Sequence, residues 1–285
     1  MSEPDERERE VRGVRVPAFL YGTAWKEERT RELVAEALDA GFRGIDTANQ
    51  LRHYREAAVG EAIAAAGEGE GPDRDDLFLQ TKFTHPAGQG NAPPYDPGAP
   101  TAEQVRQSLS SSLDHLGVER VDSYLLHAPS QRPGLGEADR EAWRAMEEAA
   151  EDGRVRLLGA SNVTPDQVDA LCDFARVEPA FVQNRCRARL GWDAAVREVC
   201  LARGIVYQAF SLLTANRRAL EHEVVRDIAG RHGRTVPQVI FRFALAVGMI
   251  PLTGTTDPEH MRQDLAVHEF DLDEEEVGAI AGLGG

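Results

Sequence analysis

Lysine is scarce in this 285-residue chain: Lys26 and Lys82 are the only two among 32 basic residues, and arginine fills the rest. Lys82 closes the run Leu-Phe-Leu-Gln-Thr, Asp46 closes Phe-Arg-Gly-Ile, and His127 closes Tyr-Leu-Leu, while Ser161-Asn162 and Gln183-Asn184 close two further runs. With Tyr54, these types form a general acid–base set. A free phenol has a pKa near about 10, so it serves at neutral pH only beside a cation. Lys82 supplies that cation, because a compact ammonium pairs with a carboxylate and tunes a phenol in a geometry that a planar guanidinium does not fit. Asp46 holds the lysine charged and oriented, and His127 donates a hydrogen bond or relays the proton. Singly, each has a plainer use: an Asp caps a helix, a His satisfies a core hydrogen bond, and Lys82 merely pairs with Asp46. The combination carries the reading.

Such groups converge only if the elements bearing them end on one rim. Apolar runs at Phe42 to Asp46, Leu77 to Lys82, Ser123 to His127, Val155 to Ala160, Phe181 to Asn184, Ile205 to Phe210 and Met249 to Leu252, with an eighth near Phe19 to Thr23, have strand length. Amphipathic stretches between them include Thr30 to Ala40, Ala102 to Leu116, Arg140 to Glu151, Pro165 to Ala175, Ala194 to Ala202 and Val236 to Val247, several stopped by glycine at 41, 117, 153 or 204. Eight such units, with no GxGxxG after a strand, predict an α/β (β/α)8 barrel (a TIM barrel) rather than an open doubly wound sheet. Its reactive groups belong at the strands' C-terminal ends. The segment 85–100, with five prolines and three glycines, then reads as a long loop on the catalytic face, composition alone allowing a disordered excursion equally.

No linker divides the chain, so one domain spanning 1–285 is expected, with residues 1–12 flexible. No apolar run reaches the roughly 18 residues of a membrane span. The acidic and arginine-rich stretch 1–10 lacks the apolar centre of a secretory signal, and the expected location is the cytoplasm. A net charge of −16 argues against nucleic acid or an anionic membrane as partner. Cys172, Cys186 and Cys200 match neither a redox pair nor a zinc pattern and read as reduced, buried, inert thiols.

Taken in order, the motifs resemble the aldo-keto reductases across nearly the whole chain, from Tyr21-Gly22-Thr23 to Phe270-Asp271-Leu272 at the terminal helix. Gly41-Phe42-Arg43-Gly44-Ile45-Asp46-Thr47-Ala48 looks like the strand with the family's catalytic Asp, and Val59-Gly60-Glu61-Ala62-Ile63 like the helix after its Tyr. Leu79-Gln80-Thr81-Lys82-Phe83 and Leu125-Leu126-His127 look like its lysine and histidine strands. Leu158 to Asn162, Val182-Gln183-Asn184 and Phe210-Ser211-Leu212 fall where the family binds its coenzyme. The resemblance implies reversible hydride transfer between a nicotinamide dinucleotide and an aldehyde or ketone, with Tyr54 as proton donor and Asp46, Lys82 and His127 beside it. It further implies that Ser161, Asn162 and Gln183 hold the carboxamide, that Phe210 stacks in place of the common tyrosine, and that Ser211 and Leu212 hold the pyrophosphate. Gly22, Thr23, Thr253, Thr255 and His260 complete the coenzyme site, and Trp25 and His53 belong to the substrate pocket. The coenzyme implied is NADP(H), with NAD(H) left open, the partner a small carbonyl compound, and the habit that of a monomer. No metal is implied.

Two departures bear on this. Counting back from Val59-Gly60, the family's tyrosine falls on His53, with Tyr54 one residue later; Tyr54 is the expected donor and His53 its rival. The stretch Pro251 to His260 lacks the lysine and arginine that commonly clasp the adenosine 2′-phosphate, leaving Thr253, Thr255, Thr256, a helix N-terminus and Arg262 to that task. The chain ends soon after its last helix, which on the same resemblance implies a wide pocket walled by Trp25, the 85–100 loop, Tyr95 and Trp192. The alternatives from other classes are a nucleotide-binding barrel with little catalysis acting as a regulatory subunit, and a metal-dependent hydrolase, for which HxH and HExxH spacings are lacking.

Overall fold

The computed structural model describes residues 6–69 and 71–284. Its strands are β1 (Glu8–Val11), β2 (Val14–Pro17), β3 (Leu20–Gly22), β4 (Gly44–Asp46), β5 (Phe78–Phe83), β6 (Val121–Leu126), β7 (Val155–Ser161), β8 (Phe181–Arg185), β9 (Val206–Phe210) and β10 (Ile250–Thr253). The helices are α1 (Thr30–Ala40), α2 (Glu56–Gly67), α3 (Thr101–Leu116), α4 (Glu137–Glu151), α5 (Pro165–Phe174), α6 (Ala194–Ala202), α7 (Arg217–Leu220), α8 (Glu223–His232), α9 (Val236–Ala246), α10 (Pro258–Leu265) and α11 (Glu274–Ala281). Strands β3 to β10 close in parallel, in the order β10-β3-β4-β5-β6-β7-β8-β9, which is the expected (β/α)8 barrel. Gly41 and Gly117 stop α1 and α3 at φ +114° and +66°, a left-handed turn that costs a glycine little.

The apolar core lies in two layers, as the alternation of side chains along a strand requires. Inside the barrel, Leu20, Phe78, Leu125, Leu157, Phe181 and Ile250 pack together. Gly44 is glycine because a Cβ there would lie 2.3 Å from Leu20 Cδ2. Outside it, strand residues such as Leu79, Tyr124 and Leu158 meet the helices' buried faces, with Trp143 and Met146 of α4 at a helical spacing. Among the described residues no helix is long and apolar enough to cross a membrane.

Residues 1–5 lie outside the described residues, but Glu8–Val11 are paired antiparallel with Val14–Pro17. Arg12 and Gly13, at φ 50° and 78°, make a turn whose twist suits a hairpin. Val11, Val14 and Val16 face inward and pack on the residues that start β3, β5, β8 and β10, closing the barrel's N-terminal mouth. Helices α7 and α8 are unannounced in the strand-and-helix alternation, although Val225, Ile228 and Ala229 mark the buried face of α8.

Candidate active site at the C-terminal rim

Strand ends place the reactive groups. Asp46 is the last residue of β4, Lys82 the next-to-last of β5, and His127 the first after β6. Lys82 Nζ donates to both Asp46 carboxylate oxygens at 2.7 Å and to the Thr47 carbonyl at 2.8 Å. Lys82 is 1% and Asp46 4% exposed. Burial pulls the Lys82 ammonium below its ordinary value while Asp46 holds it up. Asp46 Oδ1 also accepts from Gln80 Nε2 at 2.6 Å and Gln183 Nε2 at 2.9 Å.

Tyr54 sits over this pair, its ring centroid 5.5 Å from Lys82 Nζ and 6.0 Å from that of His127. Burial, and secondarily the Asp46 carboxylate, push its phenol above the usual value, so it keeps its proton at neutral pH. The His53 ring lies 3.7 Å from that of Trp25, and its carbonyl accepts from the Trp25 N–H. Burial, then Lys82 and His53, drive His127 down to about 3, leaving a neutral imidazole. Its Nδ1 lies 2.7 Å from Thr84 Oγ1. With no other acceptor for that hydroxyl among the described residues, Thr84 donates, and the ring proton falls on Nε2.

These side chains line one wall of a cavity of about 780 Å³, a volume suited to a sizeable ligand. Around it stand Gly22, Trp25, His53, Tyr54, His127, Ser161, Asn162, Gln183, Phe210, Ser211, Leu212, Thr253, Thr255 and His260, so with Asp46 all but two of the site residues read from the sequence line the same cavity. Lys82 lies beneath the wall. Thr23 is fully buried and off the cavity, donating through N–H and Oγ1 to the Asp46 carbonyl. Asn162, at φ 57°, donates to the His127 carbonyl, and Ser211, at φ 58°, turns the chain after β9.

Some expected walls lie elsewhere. Trp192 is 1% exposed, packs on Phe243 and donates to the Ile280 carbonyl. Tyr95 is buried against Phe83 and donates to the Thr84 carbonyl at 2.6 Å, drawing the 85–100 loop down instead of lining the pocket. Arg262 pairs with Glu259 at 2.8 Å and does not line the cavity. Lys26, in contrast, donates to the Gly254 carbonyl from the segment after β3, the strand next to β10; burial pulls it to about 8.

Sequence reasoning missed Gln50, Gln80, Thr84, Gln208, Thr214 and Asp264. Gln80 was detectable, being a polar residue two positions before Lys82 and hence on the same strand face. Asp264, on α10, lines the cavity, and burial pushes its carboxyl up to about 7.

The cavity's fit to a nicotinamide dinucleotide rests on its donors and acceptors: amides of Asn162 and Gln183, the flat ring of Phe210, hydroxyls of Ser161, Thr253 and Thr255, and the N-terminal turn of α9 at Thr235 and Pro237. The aldo/keto reductase family model matches residues 19–284. The chain is 34% identical to an aldo-keto reductase of Mycobacterium avium over 94% of its own length and 86% of the relative's. It is 31% identical to an uncharacterized oxidoreductase of Bacillus subtilis, covering 95% and 90%. Among solved structures, an aldo/keto reductase of Brucella melitensis superposes with a TM-score of 0.83 at 28% identity, over 97% of this chain and 98% of that one. An aldo-keto reductase solved in complex with NADPH superposes at 0.84 with 26% identity, over 98% and 88%.

Proposed function

Because this chain belongs to the aldo/keto reductase family, we propose that it reduces an aldehyde or ketone to the alcohol, reversibly, with Tyr54 as the proton donor. The reduced nicotinamide, when bound, supplies the hydride. Ser161, Asn162 and Gln183 would hold its carboxamide, Phe210 the ring face, Ser211 and Leu212 the pyrophosphate, and Gly22, Thr253, Thr255 and His260 the remainder; Thr23 acts only by steadying Asp46.

The observation that carries the reading is the position of Tyr54 above a fully buried Lys82–Asp46 pair and beside a neutral His127. Tyr54 Oη gives its proton to the carbonyl oxygen as the carbon gains hydride, so C=O becomes CH–OH. Lys82 then stabilises the phenolate until solvent returns the proton, and Asp46 keeps the ammonium in place. His127 Nε2–H donates to the substrate oxygen and orients it. Trp25 and His53 flank the substrate's approach.

We read the coenzyme as NADP(H), supported by the relative solved with NADPH; a tighter dissociation constant for NADH would refute it. The same reading makes the chain a cytoplasmic monomer acting on a small molecule, in keeping with three free, buried cysteines. The test is oxidation of NADPH by a reactive aromatic aldehyde, in wild type, Tyr54→Phe and His53→Ala. Turnover should vanish in the first variant and persist in the second. The reverse pattern would make His53 the donor, and coenzyme binding without any turnover would favour a regulatory barrel.

A further inference from the structure

Gln80 and Gln208 are fully buried in a barrel interior otherwise filled largely by apolar side chains. Their strands, β5 and β9, stand four apart in the ring of eight, so the pair spans the lumen from wall to wall. Gln80 Nε2 donates to Gln208 Oε1 at 2.8 Å, and Gln208 Nε2 donates back to Gln80 Oε1 at 3.1 Å. At one end Gln80 Nε2 also reaches Asp46, its register neighbour on β4. At the other, Gln208 Oε1 also accepts from Gln183 Nε2 at 3.0 Å, Gln183 being its register neighbour on β8. Gln183 Nε2 closes the loop by donating to Asp46.

Elementary chemistry fixes which way each amide points. An ionised carboxylate only accepts, so Gln80 and Gln183 must both present NH2 to Asp46. Each then has one N–H left, and both converge on Gln208 Oε1. With its two N–H groups engaged, Gln183 has only its carbonyl oxygen left to face the cavity it lines. A flipped Gln183 would set its oxygen against the Asp46 carboxylate at 2.9 Å and against Gln208 Oε1 at 3.0 Å, acceptor against acceptor, which a low-dielectric interior penalises. The seat at Gln183 is therefore an acceptor, matched to an N–H.

We propose that Gln80 and Gln208 are positioning residues that lock the Gln183 carbonyl toward the cavity, so that it selects the NH2 of a nicotinamide carboxamide, and that tie this seat to Asp46. The inference rests on Gln183 as the carboxamide's partner. The test is binding, followed by tryptophan fluorescence, of NADP+ and of its 3-acetylpyridine analogue, which keeps the carbonyl and has methyl in place of NH2. Wild type should bind NADP+ about tenfold more tightly than the analogue, the worth of one hydrogen bond. Gln208→Met keeps the side chain's length without its hydrogen bonds, and the ratio should fall to about threefold or less; Gln80→Met carries the same expectation should the first variant not fold. Equal ratios in wild type and folded variants would overturn the lock while sparing the carboxamide partnership. A wild type without discrimination would overturn the orientation of Gln183, and one that binds no NADP+ would overturn the function reading together with it.

Discussion

Asp46→Asn keeps the side chain's shape and removes its charge. In the native site Asp46 Oδ1 accepts from three donors, Lys82, Gln80 and Gln183, at 2.6 to 2.9 Å, and Oδ2 accepts from Lys82 at 2.7 Å. The asparagine oxygen suits the three-donor side, which turns its NH2 toward the Lys82 ammonium, donor against donor. An ammonium that is 1% exposed then lacks its counter-charge. Breaking one partner out of a buried pair costs about 3–5 kcal/mol, and at roughly 2 °C per kcal/mol for a chain of this size the melting temperature should fall by about 6–10 °C. Lys82 escapes the penalty by releasing its proton, burial already pulling it down. The folded variant then holds that proton less tightly than its unfolded chain, so its stability rises with pH across the interval between the two. The deficit against wild type should be largest near pH 6 and narrow toward pH 9. Activity should fall by about 10²- to 10⁴-fold, the usual worth of an acid–base assembly, through kcat more than KM. Calorimetry across that range, with NADPH-linked aldehyde reduction at each pH, reads both effects. A variant that melts within 2 °C of wild type, by a pH-independent margin, and turns over within about threefold of it would refute the argument that the buried pair holds the proton donor's cation.

Two further outcomes follow from the shifted groups. His127 is driven down to about 3 in the fold and returns to its ordinary value when unfolded, so the stability it contributes is complete above that ordinary value and is lost as pH falls toward about 3. Chemical denaturation should therefore show His127→Gln losing less stability than wild type between pH 7 and pH 5, and equal losses would contradict the neutral ring. Lys26, pulled to about 8 and donating to the Gly254 carbonyl, brings a cation to the stretch that lacks basic residues. Lys26→Met should raise the dissociation constant of NADPH about tenfold more than that of NADH, and the wild-type preference should decline as pH rises through about 8; an equal effect on both coenzymes would remove Lys26 from the 2′-phosphate.

The sequence alone determined the barrel, because a parallel strand buried on both faces and a helix buried on one leave different periods in the residue order. It also determined that Asp46, Lys82 and His127 share a rim, since the ends of parallel barrel strands lie on one side whatever the details of packing. Local spacing did not say which of His53 and Tyr54 lies over Lys82: adjacent residues in a loop point where the loop's path sends them, and the fold sets the His53 ring against Trp25 and the Tyr54 ring over Lys82. Likewise Trp192 and Tyr95 are large aromatics whose composition suits a pocket wall as well as a core, and only their neighbours Phe243 and Phe83 settled it. The N-terminal hairpin had a turn and alternating valines to announce it, but its burial depended on the open mouth that the barrel presents. The glutamine bridge lay furthest from reach. Gln80 and Gln208 are 128 residues apart, and what makes two polar side chains tolerable in a dry interior is the partner each finds across the lumen, a property of barrel closure that no stretch of either strand contains.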